Sequence, residues 1–473
     1  MMPEVSSSTH AAPSLGMIAE RLRLGDFDQV HARIKRLNGC ACPILLRGEL
    51  RAVDTATGTS RRVWSSRNAP GGGLWVPCGN RRATICPACA DVYQGDTFHL
   101  IRSGLVGGKA VPEEVREHPR VFATFTAPSF GPVHRGPDKD GKTRPCHPRR
   151  SGGSCFAHHR TGDPLIGTPL DAETYGYAEQ VVWNNHAGEL WRRFTVYLRR
   201  HLAAAVGLTQ GEFNAAMRVS YAKVAEFQAR GVVHFHAVIR LDAKTADGSI
   251  APPPAWATVG HLVQAVRSAA AAVTVTTEPV PGLLSALVLR WGSQLDIHPI
   301  TTDAFMTGAL SEEAVAAYIA KYATKSTTDT GVLDRRLRSL ADLDRLGVST
   351  HQRRLIEACW ELGQHAELEG RKLWEWAHML GFRGHFSTKS RRYSTTLAAL
   401  RQVRRDYRAA QARQSGTDDL LGDLDPDSDT VLIVGSFTFA GQGYAHPVDA
   451  WMAASHHRGR VLNRRVAREE VAA

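Results

Sequence analysis

Two neighbouring segments in the middle of the chain are predicted to form β-strands, and the second has an apolar residue at every other position, the period of two that is typical of a strand. They cover residues 218–227 and 232–241, and Gly231 lies in the short turn between them. In the second segment the apolar positions are Val233, Phe235, Ala237 and Ile239. Because alternate residues of a strand point to opposite faces, this pattern predicts a hairpin with one face in the core and one polar face.

Helical periodicity, in which apolar residues recur at intervals of three and four, is present in several other segments. The clearest is 177–202, where pairs of arginines occupy the remaining face. Shorter helical patterns cover 261–272 and 281–289, and most of 327–380 is also predicted to be helical. Residues 291–300 are predicted to form a further strand. These elements together indicate an α+β protein.

The composition is that of a globular protein with a polyanionic partner. The 473 residues include 58 Lys and Arg against 46 Asp and Glu, which gives a net charge of +12. A basic balance of this size favours nucleic acid, and the length suggests about two to four domains. No apolar run is long enough to span a membrane, and the N-terminus lacks the basic and apolar regions of a signal peptide. We therefore expect a cytoplasmic protein with reduced cysteines.

Five of the eight cysteines lie in the N-terminal part of the chain: Cys40, Cys42, Cys78, Cys86 and Cys89. The last two form a Cys-x-x-Cys pair, the usual knuckle of a structural zinc site in a reducing compartment. Cys78 is the natural third ligand, and Cys40 or Cys42 completes the set. No thioredoxin-like strand and helix surround the pair, which argues against a redox dithiol. The sequence therefore predicts a small module stabilised by Zn²⁺.

A second group of possible ligands lies in residues 144–160. It consists of Cys146, His147, Cys155, His158 and His159. The spacing suits a second zinc ion, and it equally suits a flexible basic loop that contacts DNA. The sequence favours neither interpretation.

His234 and His236 are two residues apart on the second predicted strand, so both imidazoles leave its polar face. Imidazole is the commonest side-chain ligand of divalent metals, and two rings need one further hard ligand. Glu226 lies on the partner strand, where the hairpin brings it alongside the histidines. The three residues form a predicted divalent-metal site, with Asp296 and His298 as reserve ligands.

Residues 316–326 contain the pattern Tyr-x-x-Lys twice, as Tyr318 with Lys321 and as Tyr322 with Lys325. On a helix, residues four apart stack along one side. A phenol with the ordinary pKa of about 10 attacks only if a neighbour lowers that pKa or takes the proton, and a nearby ammonium does the first. Both tyrosines are therefore candidate nucleophiles, and both lysines are candidates for positioning phosphate.

Together these motifs resemble those of the HUH endonucleases, the nickases of rolling-circle replication and of some transposition and conjugation. The strand-like segment 122–131, with its Thr, Pro and Ser, resembles the first motif of that superfamily, and the three motifs occur in the superfamily's order. The doubled tyrosine resembles the two-tyrosine replication initiators. Longer stretches resemble replication initiators of actinobacterial plasmids and integrative elements, and these stretches are 78–105, 118–134, 183–202 and 384–401.

The resemblance implies an HUH endonuclease core with a central antiparallel sheet flanked by helices, an N-terminal zinc-binding module and a helical, basic C-terminal region. It also implies that Mg²⁺ or Mn²⁺ binds at the Glu-His-His set. Tyr318 or Tyr322 would nick one strand, forming a 5′-phosphotyrosine link and a free 3′-hydroxyl, and the other tyrosine would accept the strand at termination. The alternatives are a transposase or mobilisation relaxase with the same chemistry, and a non-catalytic zinc-dependent DNA-binding regulator.

We expect five segments along the chain. They are a disordered or helical tail (1–34), the zinc module (35–110), the nickase core (111–330) with an inserted basic loop (132–170), a helical basic DNA-binding region (331–415), and an acidic linker with a C-terminal tail (416–473). In the fourth segment, basic residues interleaved with aromatic ones suit a phosphate backbone with stacked bases. The predicted DNA-binding residues there are Arg383, Lys389, Arg391, Arg392 and Tyr393.

Residues 136–143, GPDKDGKT, match the phosphate-binding Walker A pattern. The sequence that follows, Arg-Pro-Cys-His-Pro, cannot begin the regular helix that such a loop requires, so we interpret the match as coincidental. Without an ATPase motor, duplex unwinding depends on a host helicase. The expected partners are therefore single-stranded origin DNA, a host helicase and the host replication machinery.

Overall fold

The computed structural model describes residues 12–55, 57–138, 140–149, 153–300, 311–324, 333, 336–414 and 431–472. The chain forms two compact units, one of Met1–Asp96 with Thr396–Ala473 and one of Thr97–Thr395. The described strands are β1 Ile44–Asp54, β2 Ser60–Ser65, β3 Leu74–Val76, β4 Arg120–Phe125, β5 Met217–Phe227, β6 Val233–Lys244, β7 Ile250–Ala251, β8 Val275–Thr276, β9 Val288–Leu289, β10 Leu295–Pro299, β11 Ser387–Lys389 and β12 Val431–Gln442. The described α-helices are α1 Leu15–Arg23, α2 Phe27–Arg36, α3 Pro87–Val106, α4 Tyr177–Ala205, α5 Gln210–Ala216, α6 Val259–Ala272, α7 Glu312–Thr324, α8 Thr350–Leu362, α9 Leu397–Gln414 and α10 Pro447–Ala472. The α+β class predicted from the sequence is confirmed.

The sheet of the first unit pairs strands from the N-terminal part of the chain with a strand from its C-terminal part. Strand β1 pairs with β2 and β3, and it pairs along its whole length with β12. Helix α2 packs on α10 through a small apolar cluster that includes Val30, Ile34 and Val448. The buried guanidinium of Arg21 donates to Asp449 Oδ1 at 2.7 Å, which ties α1 to α10. The strand-like pattern of residues 431–444 forms β12, which supplies the partner of β1, and α10 follows it in the same unit.

The second unit is built on an antiparallel sheet with the strand order β10-β4-β6-β5-β11 and a short β7 paired with β6. The predicted hairpin is the β5–β6 pair at the centre of this sheet, and its turn contains Gly231. Gly231 has φ of +75°, in the left-handed region that glycine enters without strain, and its N–H donates to the Gln228 carbonyl. The apolar residues predicted to face the core, Val233, Phe235, Ala237 and Ile239, are all buried.

Helix α4 covers the core face of this sheet. Its apolar stripe, which includes Trp183, Leu190 and Phe194, is fully buried. Asn184 on the same helix is also fully buried, and its side-chain amide forms hydrogen bonds with the backbone at the end of the hairpin. Its Oδ1 accepts from the Val233 N–H at 3.0 Å, and its Nδ2 donates to the carbonyls of Gly231 and Leu380. Because a buried amide without partners is costly, these bonds fix the hairpin against α4.

Two segments differ from their sequence-based predictions. The helix predicted at 281–289 is wrong, because Gly282 has φ of +76° and the chain turns there into β9, which pairs with β8. The described part of 327–380 contains one α-helix, α8, followed by short 3₁₀ turns at Ala366–Arg371 and Trp374–Met379. Apolar residues at intervals of three fit a 3₁₀ turn as well as an α-helix, so the pattern alone does not separate them.

A buried lysine on the core face of the sheet should make the stability of this unit depend on pH. Burial lowers the pKa of Lys223 to about 7, and its ammonium lies 3.7 Å from the centre of the Phe235 ring. The unfolded chain keeps this proton up to a pKa of about 10.4, so the folded chain gains stability as the pH rises from about 7 to about 10. Lys223→Met should therefore raise the free energy of unfolding most below pH 7, by roughly 2 to 5 kcal/mol. Denaturant unfolding at several pH values measures this.

The gain from Lys223→Met should shrink as the pH rises from about 7 to about 10, because the wild-type amine is then neutral in the folded chain while the unfolded chain progressively loses its advantage of keeping the proton. Lys142→Met, at an exposed lysine of the same unit, is the control and should leave the pH dependence unchanged. A gain that stays constant across this pH range would show that Lys223 folds without losing its proton.

Candidate functional site

Three potential metal ligands meet on the polar face of the β5–β6 hairpin. Glu226 Oε2 lies 3.1 Å from His234 Nε2 and 3.3 Å from His236 Nε2. One ligand atom of each residue lies within 4.8 Å of the others, and the side chains are 12%, 14% and 3% exposed. The strand register explains the cluster, because Glu226 is directly opposite His234 and His236 follows on the same face. The structure thus brings together the three residues predicted from the sequence.

The ring of His236 is held in one orientation by β4. Its Nδ1 lies 3.0 Å from Thr124 Oγ1, and the Phe122 ring stacks on it with a centroid distance of 5.9 Å. When Nδ1 donates to the hydroxyl, Nε2 keeps its lone pair and faces Glu226. Two imidazole nitrogens and one carboxylate oxygen at these distances fit a divalent cation with coordination positions left for phosphate or water. Thr124 and Phe122 were not predicted as site residues, although both lie in the 122–131 segment.

Tyr318, on α7, lies beside this group. Its hydroxyl oxygen is 3.5 Å from His236 Nε2, and its ring meets the rings of His236 and Phe122 edge to face. A separation of 3.5 Å is at the outer limit of a hydrogen bond, and it places the phenol next to a ligand atom of the group. The side chain is 37% exposed, which leaves it open to a ligand from solvent.

A buried ion pair fixes the position of α7 on the sheet. Arg120, the first residue of β4, forms an ion pair with Glu312, the first residue of α7, and both side chains are at least nine-tenths buried. Arg120 also donates to the Leu105 carbonyl. Removing one partner of such a pair leaves a buried charge, so the pair specifies the position of the helix strongly. Nothing in the sequence indicated this contact, because its two residues lie far apart along the chain.

The other predicted catalytic residues lie near or beyond the end of α7. Lys321 is exposed on the turn after Tyr318. Tyr322 belongs to the same helix one turn further on, but its side chain lies outside the described residues, as does Lys325 altogether. The reserve ligands Asp296 and His298 pair with each other at 2.8 Å on β10, outside the Glu-His-His group.

The first unit contains a second ligand set, formed by four cysteines. Cys40 precedes β1, Cys78 follows β3, and Cys86 and Cys89 lie at the beginning of α3. The Cys40 sulfur is 3.8 Å from Cys86 Sγ and 3.6 Å from Cys89 Sγ, and Cys78 Sγ is 3.7 Å from Cys89 Sγ. Sulfurs on a tetrahedral zinc ion lie roughly 3.8 Å apart, given a Zn–S distance of about 2.3 Å. The four thiols therefore fit a structural zinc ion.

Hydrogen bonds to the sulfurs support the same interpretation. Backbone N–H groups of Ala41 and Cys78 donate to Cys86 Sγ and Cys40 Sγ at 3.3 and 3.4 Å. The bonds among the four thiols hold the pKa of Cys86 far below its ordinary value and raise that of Cys40. Cys42, the fifth predicted ligand, lies outside the set, and its sulfur faces the Ile85 carbonyl at 3.6 Å. Of the two cysteines that the sequence left open, Cys40 joins this group.

The family of the chain follows from its comparison with known proteins. A family model described as RepSA, "Replication initiator protein, pSAM2", matches residues 26–458. The chain belongs to the RepSA family of replication initiators. A replication initiator protein of Streptomyces ambofaciens is 49% identical over 463 residues, which cover 97% of this chain and 96% of that protein. The predicted relationship to plasmid replication initiators is confirmed.

No solved structure matches this RepSA family member. None of its described helices is both long and apolar enough to cross a membrane. Because no solved structure matches, the HUH chemistry inferred from the motifs stays a prediction.

The residues predicted to contact DNA in this RepSA protein have different environments. Tyr393 is fully buried, and its hydroxyl donates to the Ile101 carbonyl at 3.1 Å. Its assignment as a base-stacking residue is therefore wrong, because the ring packs over the Arg240 guanidinium in the core. Lys389 is half-buried and donates to the Ser394 carbonyl. The exposed cations are Arg383, Arg391 and Arg392.

Replacing one cysteine of the four-cysteine group in this RepSA protein should weaken the binding of zinc at that group. Cys86→Ser removes a fully buried sulfur, and a hydroxyl is a poor substitute for a thiolate on zinc. We expect the affinity of the full chain for zinc at this site to fall at least about 100-fold and the first unit to unfold at a lower temperature. Metal analysis and thermal unfolding measure both effects. Cys42→Ser is the matched control, and a zinc loss as large as that of Cys86→Ser would make Cys42 a ligand.

Proposed function

We propose that this protein initiates replication by nicking one DNA strand at an origin through tyrosine transesterification, with the second unit serving as an HUH endonuclease core. The observation that carries the proposal is the position of the Tyr318 hydroxyl, 3.5 Å from His236 Nε2, which belongs to the Glu-His-His group. A phenol next to a divalent-metal ligand set is the arrangement that phosphoryl transfer to tyrosine requires. Membership of the RepSA replication initiators supports origin DNA as the substrate.

Glu226, His234 and His236 would hold the divalent cation. Bound Mg²⁺ or Mn²⁺ would polarise the scissile phosphate and stabilise charge on its oxygens. Thr124 serves this site by holding the His236 ring so that Nε2 faces Glu226. The buried pair of Arg120 and Glu312 keeps α7 over the same face of the sheet.

In the proposed reaction the phenolic oxygen of Tyr318 attacks the scissile phosphorus. The bond from phosphorus to the 3′ oxygen breaks, which gives a 5′-phosphotyrosine link and a free 3′-hydroxyl that a polymerase can extend. The positive charge of Lys321, one turn from Tyr318, favours phenol ionisation and attracts phosphate, and we assign the same role to Lys325. Tyr322 would accept the displaced strand at termination.

The DNA itself would be bound through charge. The chain has a net charge of +12, and Arg383, Arg391 and Arg392 are exposed cations of the second unit. Contacts of this kind neutralise phosphates and make binding depend steeply on salt. A host helicase and the host replication machinery would act with the nicked product.

The test uses a labelled single-stranded oligonucleotide that carries the origin sequence. Incubation with the full-length protein and Mg²⁺ or Mn²⁺ should give a covalent adduct that survives denaturing electrophoresis, together with a product that ends in a 3′-hydroxyl. A chelator should prevent both. Specific binding to the cognate strand with no adduct in either metal would contradict the nickase and would favour a DNA-binding regulator.

A further inference from the structure

In the segment 131–170, which lies between β4 and α4, the described residues bury almost no apolar side chains. The part of residues 131–170 that the structure describes contains no α-helix, and Phe156, its largest apolar side chain, is 65% exposed. The buried residues among those described are Cys146, His147, His159 and Gly167. A segment of this length with so little apolar burial needs another source of stability, and small modules of this kind usually use a metal or disulfides.

Two of these buried residues belong to a group of four metal-binding side chains. His134 Nδ1 lies 3.1 Å from His159 Nε2, Cys146 Sγ lies 3.7 Å from His134 Nδ1, and Cys155 Sγ lies 3.4 Å from His159 Nε2. All four ligand atoms are within 4.8 Å of one another. Nitrogens and sulfurs on a tetrahedral zinc ion lie roughly 3.3 to 3.8 Å apart, so the separations fit one such ion.

The surroundings of the group are those of a zinc site. His159 Nδ1 lies 2.7 Å from Asp163 Oδ2, so a carboxylate orients the ring while Nε2 faces the other ligands. The Arg135 N–H donates to Cys146 Sγ at 3.2 Å, as expected for a thiolate that keeps charge after metal binding. The backbones of His147 and Cys155 exchange hydrogen bonds, and the Cys146 N–H donates to the Ala157 carbonyl, so the two cysteines are held on neighbouring stretches of backbone.

The insertion is seated on the hairpin that carries the Glu-His-His group. Gly167 has φ of +85°, and a β-carbon there would lie 2.6 Å from the Ala229 carbonyl carbon in the β5–β6 turn. The Gly167 N–H donates to the His134 carbonyl, so one ligand of the group is directly linked to this contact. A metal that fixes His134 would therefore also steady the contact of Gly167 with the turn.

We propose that His134, Cys146, Cys155 and His159 bind a zinc ion that replaces an apolar core and holds the insertion on the β5–β6 turn. The class of ligand is a borderline-soft divalent metal in a closed Cys₂His₂ site, separate from the four-cysteine group and from the Glu-His-His group. His147, whose Nδ1 lies 3.2 Å from Cys146 Sγ, belongs to the surroundings and is not a ligand.

Native mass spectrometry of the full-length protein, purified with zinc, tests the proposal. The wild type should carry two zinc ions per chain, and the double variant Cys146→Ser/Cys155→Ser should carry one. Cys86→Ser/Cys89→Ser should also carry one, which separates failure of this site from failure of the four-cysteine site. His158→Ala, at an exposed histidine of the same loop, is the matched control and should keep both ions. Two zinc ions in the Cys146→Ser/Cys155→Ser variant would overturn the proposal.

Cobalt substitution tests the proposal in the wild-type protein, so the result does not depend on whether a variant folds. A site with two sulfurs and two nitrogens absorbs at shorter visible wavelengths than a site with four sulfurs, so two distinct bands should develop as Co²⁺ is added. A single sulfur-rich band that saturates at one ion per chain would overturn the proposal. So would a Cys146–Cys155 disulfide, which lowers the mass of the purified chain by two hydrogen atoms.

Discussion

Replacing Tyr318 by phenylalanine should abolish the covalent link between the protein and origin DNA. Phenylalanine keeps the edge-to-face contacts with His236 and Phe122 but lacks the oxygen that attacks phosphorus. We expect the rate of adduct formation to fall at least about 1,000-fold, because a lost nucleophile has no replacement at that position. The dissociation constant for the same oligonucleotide should change less than about threefold, since phosphate contacts dominate binding. A quenched time course on a denaturing gel and a binding titration measure the two quantities.

Tyr322→Phe is the matched control, because it is the same substitution one turn further along α7. If Tyr318 attacks first, the Tyr322 variant still forms the first adduct and loses only the second strand transfer. An adduct that persists in Tyr318→Phe and disappears in Tyr322→Phe would reverse the assignment. Loss of the adduct only in the double variant would mean that either tyrosine can attack first.

Much of this site was predictable because its motifs are local. Glu226 and His234 meet because a hairpin with a short turn fixes its own register, and His236 follows from the period of two along a strand. The four-cysteine group was predictable for the same reason at its Cys-x-x-Cys knuckle. Its remaining ligand stayed open between Cys40 and Cys42, because both are buried and the path of the loop before β1 decides which sulfur meets the other three.

The remaining features depend on contacts between distant parts of the chain. The pairing of β1 with β12 brings the C-terminal residues into the first unit, and the alternation within each strand does not identify the partner. Tyr393 has basic neighbours that suggested an exposed, DNA-binding aromatic residue, yet the ring is buried over Arg240. Local composition describes the exposure of a segment on average and does not fix the orientation of one ring.

The second large effect is expected at the carboxylate of the proposed cation site. Glu226→Gln keeps the shape of the side chain but removes its charge, and a neutral amide oxygen is a weak ligand for Mg²⁺ or Mn²⁺. We expect the affinity of the free protein for Mn²⁺ to fall at least about 100-fold. The rate of adduct formation at a fixed low metal concentration should fall at least about 1,000-fold, and added Mn²⁺ should partly restore it. Paramagnetic resonance of unbound Mn²⁺ measures binding without any reaction.

Asp296→Asn is the control for this experiment, because Asp296 also lies on this sheet and pairs with His298 outside the Glu-His-His group. It should change neither Mn²⁺ affinity nor adduct formation by more than about twofold, as for other exposed ion pairs. If Asp296→Asn weakens Mn²⁺ binding as much as Glu226→Gln does, the cation site extends to β10. Unchanged Mn²⁺ binding in Glu226→Gln, together with a slow reaction, would instead make Glu226 a proton acceptor for the tyrosine. A carboxylate beside two imidazoles can act either as a metal ligand or as a general base. Measuring Mn²⁺ binding and reaction rate together therefore distinguishes the two roles of Glu226.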